Sequence, residues 1–168
     1  MTVEWRIELL DPRHDRTGFS CGSAPLDRYL QEFATQDARR RVATCFVACP
    51  IDSLAVAGFY TMAAAEVPVT GLPDDLRRKL PRYPTVPVVR IGRLAVDVRH
   101  DGKGLGSILV ANAIGRVLRS EIAAYALTVD AKDEAAAGFY RHLGFLPFGP
   151  VDKALFLPVA TAKKLLEK

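Results

Sequence analysis

The 168-residue chain is poor in cysteine. Its three cysteines are an odd number, and no histidine or second cysteine pair lies at zinc-binding spacing. Cys45 and Cys49 lie four residues apart in a β-like run and therefore on one face of a strand. We expect both to be small buried hydrophobic side chains in a reducing cytosol, with no bound metal.

Long hydrophobic runs and targeting segments are also lacking. The longest apolar stretch, residues 54–65, is too short to span a bilayer. The first residues lead directly into a strand-like run rather than a secretory signal. We therefore expect a cytoplasmic protein that does not bind a membrane. Because there is no internal repeat, low-complexity segment or linker, residues 1–168 are expected to form a single domain.

Two common phosphate-binding motifs are absent from the glycine-rich segment 99–107. A P-loop needs a glycine five residues before Gly102, where the chain has Asp97, and a Ser or Thr after Lys103, where it has a glycine. A dinucleotide fingerprint needs a glycine at its sixth position, where the chain has Ser107. These differences argue against both nucleotide-binding classes.

What is present in residues 88–118 is the pattern of a strand, a glycine-rich turn and a helix. Glycines let the backbone turn sharply and approach a phosphate without Cβ interference. The first N–H groups of a helix have no partner within the helix, so they attract an anion. We therefore predict an anion-binding site formed by Arg99, Gly102, Lys103, Gly104, Leu105, Gly106 and Ser107.

The rest of the chain predicts an α/β protein with a mixed sheet, in the order β-α-β-β-(α)-β-α-β-α-β-β-α. Five prolines between Pro68 and Pro87 indicate a structured connector rather than a strand. The predicted strands besides the one in 88–118 are 5–9, 43–49, 54–65, 125–131, 145–148 and 154–159. The predicted helices are 23–40, 73–80, 134–143 and a last one opened by Thr161.

Two motifs resemble those of the GNAT N-acetyltransferases. The sequence IGRLAV at 91–96, followed by RHDGKG at 99–104, is similar to the acetyl-coenzyme A motif of that family. The sequence AGFYRHLGF at 137–145 is similar to its second motif, and a predicted strand lies between the two. The resemblance implies the GNAT acyl-CoA N-acyltransferase fold, a mixed and mostly antiparallel sheet flanked by helices and splayed at its central strands.

The same resemblance implies the chemistry of the site. Acetyl-CoA would be the co-substrate, with no metal. The backbone of Leu94, Ala95 and Val96 would pair with its pantetheine arm. Tyr140 would be the general acid that protonates the leaving thiolate. Asp133 stands where many acetyltransferases have Asn, which we expect to affect helix capping more than chemistry.

Further segments narrow the resemblance to the GNAT toxins of bacterial type II toxin–antitoxin modules: FSCGSAPLDRYL at 19–30, GFYT at 58–61, YPTVP at 83–87 and LFLP at 155–158. This implies transfer of acetyl to the amino group of aminoacyl-tRNA, which inhibits translation. It also implies a ribbon-helix-helix antitoxin that binds operator DNA, and a homodimer. A GNAT enzyme acting on a small-molecule or protein amine, and a binding module with a regulatory acetyl-CoA site, are the alternatives.

Charge and acid–base chemistry are compatible with the toxin interpretation. The net charge is +4 and the pI about 9.1. Glu66 and Asp97 are possible general bases, although a structural role is the expectation for each. An α-amino group with a pKa of roughly 7.7–8.0 is partly neutral near pH 7 without a strong base. Candidate contacts to tRNA phosphates, which are otherwise solvated surface residues, are Arg77, Arg78, Lys79, Arg82, Arg90 and Arg93.

Overall fold

Seven strands form one sheet in the computed structural model, which describes residues 4–151 and 153–167. Their order across the sheet is β1-β2-β3-β4-β5-β7-β6. Strands β4 and β5 are parallel, whereas β1–β2, β2–β3, β5–β7 and β6–β7 are antiparallel. The bounds are β1 Trp5–Leu9, β2 Thr44–Pro50, β3 Gly58–Pro68, β4 Thr85–Val96, β5 Ala126–Asp130, β6 Leu146–Pro147 and β7 Ala154–Pro158.

The helices follow the predicted order, with one interruption. The first predicted helix contains a π-helical turn, Tyr29–Phe33, in which the Ala34 N–H donates to the Tyr29 carbonyl. The last helix begins at Val159 instead of Thr161, directly after Pro158. The bounds are α1 Ala24–Arg28, α2 Ala34–Arg39, α3 Asp74–Arg77, α4 Leu105–Arg119, α5 Glu134–His142 and α6 Val159–Leu166.

Two strands begin at positions that differ from the prediction. Strand β3 begins at Gly58, because the residues just before it form backbone hydrogen bonds with the loop residue Asp15 instead. The Asp15 N–H donates to the Leu54 carbonyl, and the Asp15 carbonyl accepts from the Val56 N–H. Strand β4 begins three residues earlier than predicted, so Pro87 lies within a strand rather than in the connector. Pro87 has no N–H to donate, but its carbonyl accepts from a neighbouring backbone N–H.

The chain divides into two compact units. The first is Met1–Ala63 with Gly92–Ala113, and the second is Ala64–Ile91 with Ile114–Lys168. Cys45 and Cys49 are buried in the first unit as predicted, and burial raises the pKa of Cys45 to about 12 and that of Cys49 to about 11. The first core includes Phe19, Leu30, Val47 and Phe59, and the second includes Val67, Leu72, Val86, Val88, Ala126 and Phe156.

Helix α2 ends in a Schellman motif that carries an arginine where glycine is preferred. Arg41 has φ of 59°, and the N–H groups of Arg41 and Val42 donate to the carbonyls of Ala38 and Asp37. The left-handed conformation costs a residue with a Cβ roughly 1–2 kcal/mol. We expect Arg41→Gly to raise the free energy of unfolding by about 1 kcal/mol, measured by chemical denaturation. An equal gain in Arg40→Gly, at a helical position, would contradict this explanation.

Candidate active site

The glycine-rich turn lies in the first unit between strand β4 and helix α4. Gly102 and Gly104 have φ of 77° and 76°, and a Cβ added to either would meet no atom within 4 Å. Helix α4 begins immediately afterwards at Leu105, so its first N–H groups follow the turn directly. The turn therefore combines a left-handed backbone, an open approach and a helix N-terminus, as an anion site requires.

Close packing fixes the start of helix α4. Leu105 and Leu109 are buried, and their side chains approach the backbone of Gly58 on β3. A Cβ at Gly58 would lie 3.1 Å from the Ala95 carbonyl oxygen and 3.1 Å from the Leu105 side chain. A Cβ here would force these neighbours to move by a few tenths of an ångström, so glycine suits the close approach of the strand to the helix and to β4. The Lys103 ammonium lies 3.3 Å from Nδ1 of His100, which keeps this cation at the turn.

Strand β4 continues beyond its parallel partner. Its last registered pair with β5 is Ile91 with Val129, whereas β4 runs on to Val96 and β5 ends at Asp130. The segment Gly92–Val96 therefore follows the last registered pair of β4 with β5. It contains Leu94–Val96, predicted to pair with the pantetheine arm.

Asp97, at the end of β4, is fully buried and holds Arg99. The carboxylate accepts from Nε and Nη2 of Arg99 at 2.9 and 3.0 Å, from the Arg99 N–H at 2.9 Å and from the Ser20 N–H at 3.0 Å. Hydrogen bonds from the Arg99 side chain are the largest cause that lowers the pKa of Asp97, to about 2. Burial acts in the opposite direction, and the N–H groups of Arg99 and Ser20 lower this pKa further. Asp97 is thus an ionised structural anchor and a poor general base. The Arg99 side chain remains 60% exposed.

Tyr140 lies in the second unit on helix α5. Asp133 caps this helix as predicted by accepting from the Ala136 N–H at 2.8 Å, and Gly144 follows its end with φ of 103°. The Tyr140 ring is buried, with edge contacts to Phe139 and Phe145. Its hydroxyl has no hydrogen-bond partner among the described residues 4–151 and 153–167. Burial raises the pKa of Tyr140 to about 12, so the phenol remains protonated at neutral pH.

The six basic residues predicted to contact tRNA phosphates lie in different surroundings. Arg93, in the first unit, has its guanidinium 3.7 Å from the centre of the Tyr29 ring. Arg90, in the second unit, lies 3.9 Å from Asp130. Arg77 pairs with Asp74 at 2.6 Å. Exposed side chains follow along the same connector at Arg78, Lys79 and Arg82.

Comparison with known proteins agrees with these motifs. The Acetyltransferase (GNAT) family matches residues 24–145, a range that includes the glycine-rich turn and Tyr140. The chain belongs to the GNAT acetyltransferase family. A "tRNA-acetylating toxin" of Mycobacterium tuberculosis (strain ATCC 25618 / H37Rv) is 37% identical over 152 residues, 88% of this chain and 89% of that protein.

Solved structures of GNAT toxins share the fold. AtaT complexed with acetyl-methionyl-tRNAfMet is 31% identical with a TM-score of 0.89, covering 97% of this chain and 99% of that one. A Tyr-to-Phe variant of AtaT, bound to acetyl-CoA and to the C-terminus of the antitoxin AtaR, is 28% identical with a TM-score of 0.83. That comparison covers 98% of this chain and 99% of the AtaT chain. The GNAT fold predicted from the sequence is confirmed.

Two features are absent from the described part of this GNAT chain. Among residues 4–151 and 153–167, no helix is long and apolar enough to cross a membrane. Within the same described residues, no group of three His, Cys, Asp or Glu side chains is arranged to hold a metal ion.

Sequence reasoning missed two features of this GNAT chain. The first is the set of hydrogen bonds that the Asp97 carboxylate accepts from Arg99 and from Ser20, which lies 77 residues away in the sequence. An Asp-x-Arg pair directly after a strand is a weak local signal for it. The second is Thr128 on β5, which is 6% exposed and whose hydroxyl has no hydrogen-bond partner in the described residues. A buried unpaired hydroxyl costs about 1–3 kcal/mol, and no sequence pattern announces one.

We expect Asp97→Asn to lower the free energy of unfolding by about 2–3 kcal/mol at pH 7, because the amide turns N–H groups toward the donors of Arg99. Since the pKa of Asp97 is about 2 in the folded protein and 3.8 otherwise, its stabilisation is present above about pH 4. It is lost as the pH falls toward 2, by about 2 kcal/mol. Denaturation at pH 7 and pH 3 measures both effects. Asp101→Asn, at an exposed neighbour, is the control, and equal losses in both variants would contradict the assignment.

Proposed function

We propose that this protein is the toxin of a type II toxin–antitoxin module that transfers acetyl from acetyl-CoA to the amino group of aminoacyl-tRNA and thereby inhibits translation. The observation that carries the proposal is the similarity to a tRNA-acetylating toxin along 88% of the chain. The family match runs through both compact units, which supports residues 1–168 acting as a single GNAT domain. The proposal includes a cytoplasmic homodimer and a ribbon-helix-helix antitoxin that links the toxin to operator DNA.

The glycine-rich turn is proposed to bind the pyrophosphate of acetyl-CoA. Gly102 and Gly104 leave open space for the phosphates, and the N–H groups of Leu105, Gly106 and Ser107 begin helix α4. Asp97 uses Nε and Nη2 of Arg99, which leaves the remaining guanidinium nitrogen for a phosphate. The backbone of Leu94–Val96 would pair with the pantetheine arm. One N–H of this segment would stabilise the thioester oxyanion, an interaction worth about 2.7–4 kcal/mol elsewhere.

Tyr140 is proposed as the hydrogen-bond donor to the leaving sulfur. The amine attacks the thioester carbonyl carbon, the C–S bond breaks, and the thiolate requires a proton. A phenol with a pKa of about 12 is a weaker acid than a thiol with a pKa of roughly 8.5, so full proton transfer from Tyr140 to the departed thiolate would cost about 5 kcal/mol. Tyr140 therefore stabilises the thiolate as it forms. The ammonium proton released by the attacking amine balances the reaction.

The acid–base groups of the chain favour an α-amino acceptor over a lysine side chain. Asp97 has its pKa lowered to about 2 by Arg99, so it cannot take a proton at neutral pH. The exposed Glu66 accepts a hydrogen bond from the Thr85 hydroxyl at 3.2 Å. An α-amine with a pKa near 8 is partly neutral without help, whereas a lysine with a pKa of about 10.4 needs a base.

Acetyl transfer to charged and uncharged tRNA tests the proposal. The protein is incubated with labelled acetyl-CoA and either aminoacyl-tRNA or the same tRNA without its amino acid. We expect label on the amino group of the charged tRNA alone, with a KM for tRNA that rises as salt increases. Label on protein lysines or a small amine, and none on charged tRNA, would replace the toxin function with a different GNAT activity. Binding of acetyl-CoA without any transfer would indicate a regulatory module.

A further inference from the structure

Tyr29 lies in the π-helical turn of the first unit and is fixed by three contacts. Its carbonyl accepts the Ala34 N–H that closes the turn. Its hydroxyl donates to a carboxylate oxygen of Asp37 at 2.8 Å. Its ring is nearly parallel to that of Phe59, with 6.3 Å between the ring centres and 18° between the planes. Because the residue is also buried, the ring has little freedom to move.

Arg93, in the same unit, lies against this ring. Its guanidinium carbon is 3.7 Å from the centre of the Tyr29 ring, which is within cation–π distance. Two residues later, Ala95 belongs to the same core as Tyr29, so β4 passes the ring at this point. Arg93 is nevertheless exposed to solvent. Within residues 4–151 and 153–167, its guanidinium has neither a carboxylate partner nor a hydrogen-bond acceptor. Its N–H donors are therefore positioned but unused.

Arg28 provides the contrast within the same unit. Its guanidinium carbon lies 5.4 Å from the centre of the Phe33 ring, but its Nε also donates to the Glu32 carboxylate at 2.6 Å. A guanidinium that is paired with a carboxylate has fewer donors left for another anion. Arg93 has an aromatic support without such a pair, and a stacked guanidinium with free donors is well suited to bind a phosphate.

The place of Arg93 on β4 indicates which phosphate it would contact. In the proposed function, the pyrophosphate of acetyl-CoA lies at the turn 102–107 and the pantetheine arm follows Leu94–Val96. The thioester then lies at the end of this segment that is away from the turn, and Arg93 is the next residue at that end. The acceptor must bring its amine to the thioester, so this end of the segment is where the acceptor arrives.

We infer that Arg93, held over the Tyr29 ring, binds a backbone phosphate of the acceptor tRNA close to the thioester, and that Tyr29 is the positioning residue of this contact. The aminoacyl group is attached to the ribose of the terminal nucleotide, so a phosphate lies close to the reacting amine. Phosphate oxygens accept paired hydrogen bonds from a guanidinium. The inference rests on the proposed function and assigns the free donors of Arg93 to the tRNA rather than to acetyl-CoA.

Steady-state kinetics with aminoacyl-tRNA and labelled acetyl-CoA test the contact. In Arg93→Met we expect KM for aminoacyl-tRNA to rise about tenfold, with kcat and KM for acetyl-CoA within about threefold of the wild type. The slope of log KM against log salt concentration should decrease by about one, as for the loss of one phosphate contact. The matched control is Arg28→Met, which removes the same charge from beside an aromatic ring and should leave KM for aminoacyl-tRNA within about twofold.

The role of Tyr29 is tested through its dependence on Arg93. Tyr29→Phe keeps the ring and should leave KM for aminoacyl-tRNA within about twofold. Tyr29→Leu removes the ring and should raise this KM about fivefold. In the Arg93→Met background, Tyr29→Leu should raise it no further, because the two residues serve one contact. An equal rise with and without Arg93 would show that Tyr29 has only a structural role and would overturn its assignment. Thermal unfolding of every variant is measured alongside.

NMR spectroscopy tests the same contact without relying on Tyr29→Leu, which removes a core side chain. The Nε–H signal of Arg93, assigned by its absence in Arg93→Met, should shift when uncharged tRNA is added to the protein saturated with acetyl-CoA. No shift would overturn the inference. A rise in KM for acetyl-CoA alone in Arg93→Met would also overturn it, since Arg93 would then bind the cofactor. A wild type that acetylates charged tRNA, with Arg93→Met unchanged, refutes the inference alone, whereas a wild type that acetylates no charged tRNA refutes the proposed function as well.

Discussion

Replacing Tyr140 by Phe is expected to lower kcat for acetyl transfer by about 10²- to 10³-fold, in the range of a lost hydrogen-bond donor to a charge that develops in the transition state. The ring packs between Phe139 and Phe145 without a hydrogen bond to another described residue. The substitution therefore removes the hydrogen-bond donor to the leaving sulfur and leaves the packing intact. Steady-state kinetics with aminoacyl-tRNA measure the loss, and calorimetry should show unchanged binding of acetyl-CoA.

The control for this variant is Tyr125→Phe, which removes a phenol in the same unit outside the family motif. It should retain activity within about threefold. The pH profile adds a second test. Because the pKa of Tyr140 is about 12, the wild type should gain activity as the α-amine deprotonates near pH 8 and keep it through pH 10. Full activity in Tyr140→Phe would contradict the assignment, and a wild-type loss centred at pH 10 would contradict the raised pKa of Tyr140.

The second large effect is expected for Gly104→Val in the glycine-rich turn. Its φ of 76° disfavours any residue with a Cβ, and the open space beside it is where a phosphate would approach. We expect kcat/KM for acetyl-CoA to fall by about 100-fold, mainly through KM, because the turn would contact the pyrophosphate rather than the reacting thioester. Initial rates at varied acetyl-CoA concentration measure this.

Gly22 provides a matched control for backbone strain. It has φ of 88° and an equally open surrounding, but it lies outside the turn. Gly22→Val and Gly104→Val should therefore lose similar stability, whereas the KM for acetyl-CoA should rise in Gly104→Val alone. If both variants raise this KM equally, strain rather than phosphate binding explains the effect.

Local sequence determines much of the backbone conformation at this site. The glycines at 102 and 104, the cap at Asp133 and the glycine at 144 act within one turn of chain, so residue type alone predicted their conformations. The order of helices and strands was predicted for the same reason. The start of β3 was predicted wrongly, because Asp15, far away in sequence, occupies the backbone of residues 54–56.

The sequence by itself determined the family, the strand–turn–helix that contains Gly102 and Gly104, and the helix that contains Tyr140, since these depend on local conformation and on short motifs. Only the tertiary structure decided which polar side chains already have hydrogen-bond partners. It pairs Asp97 with Ser20 and Arg99, and so removes a candidate base. It also buries the Thr128 hydroxyl without a partner in the described residues. Desolvation and partner availability depend on residues distant in sequence, which no local pattern specifies.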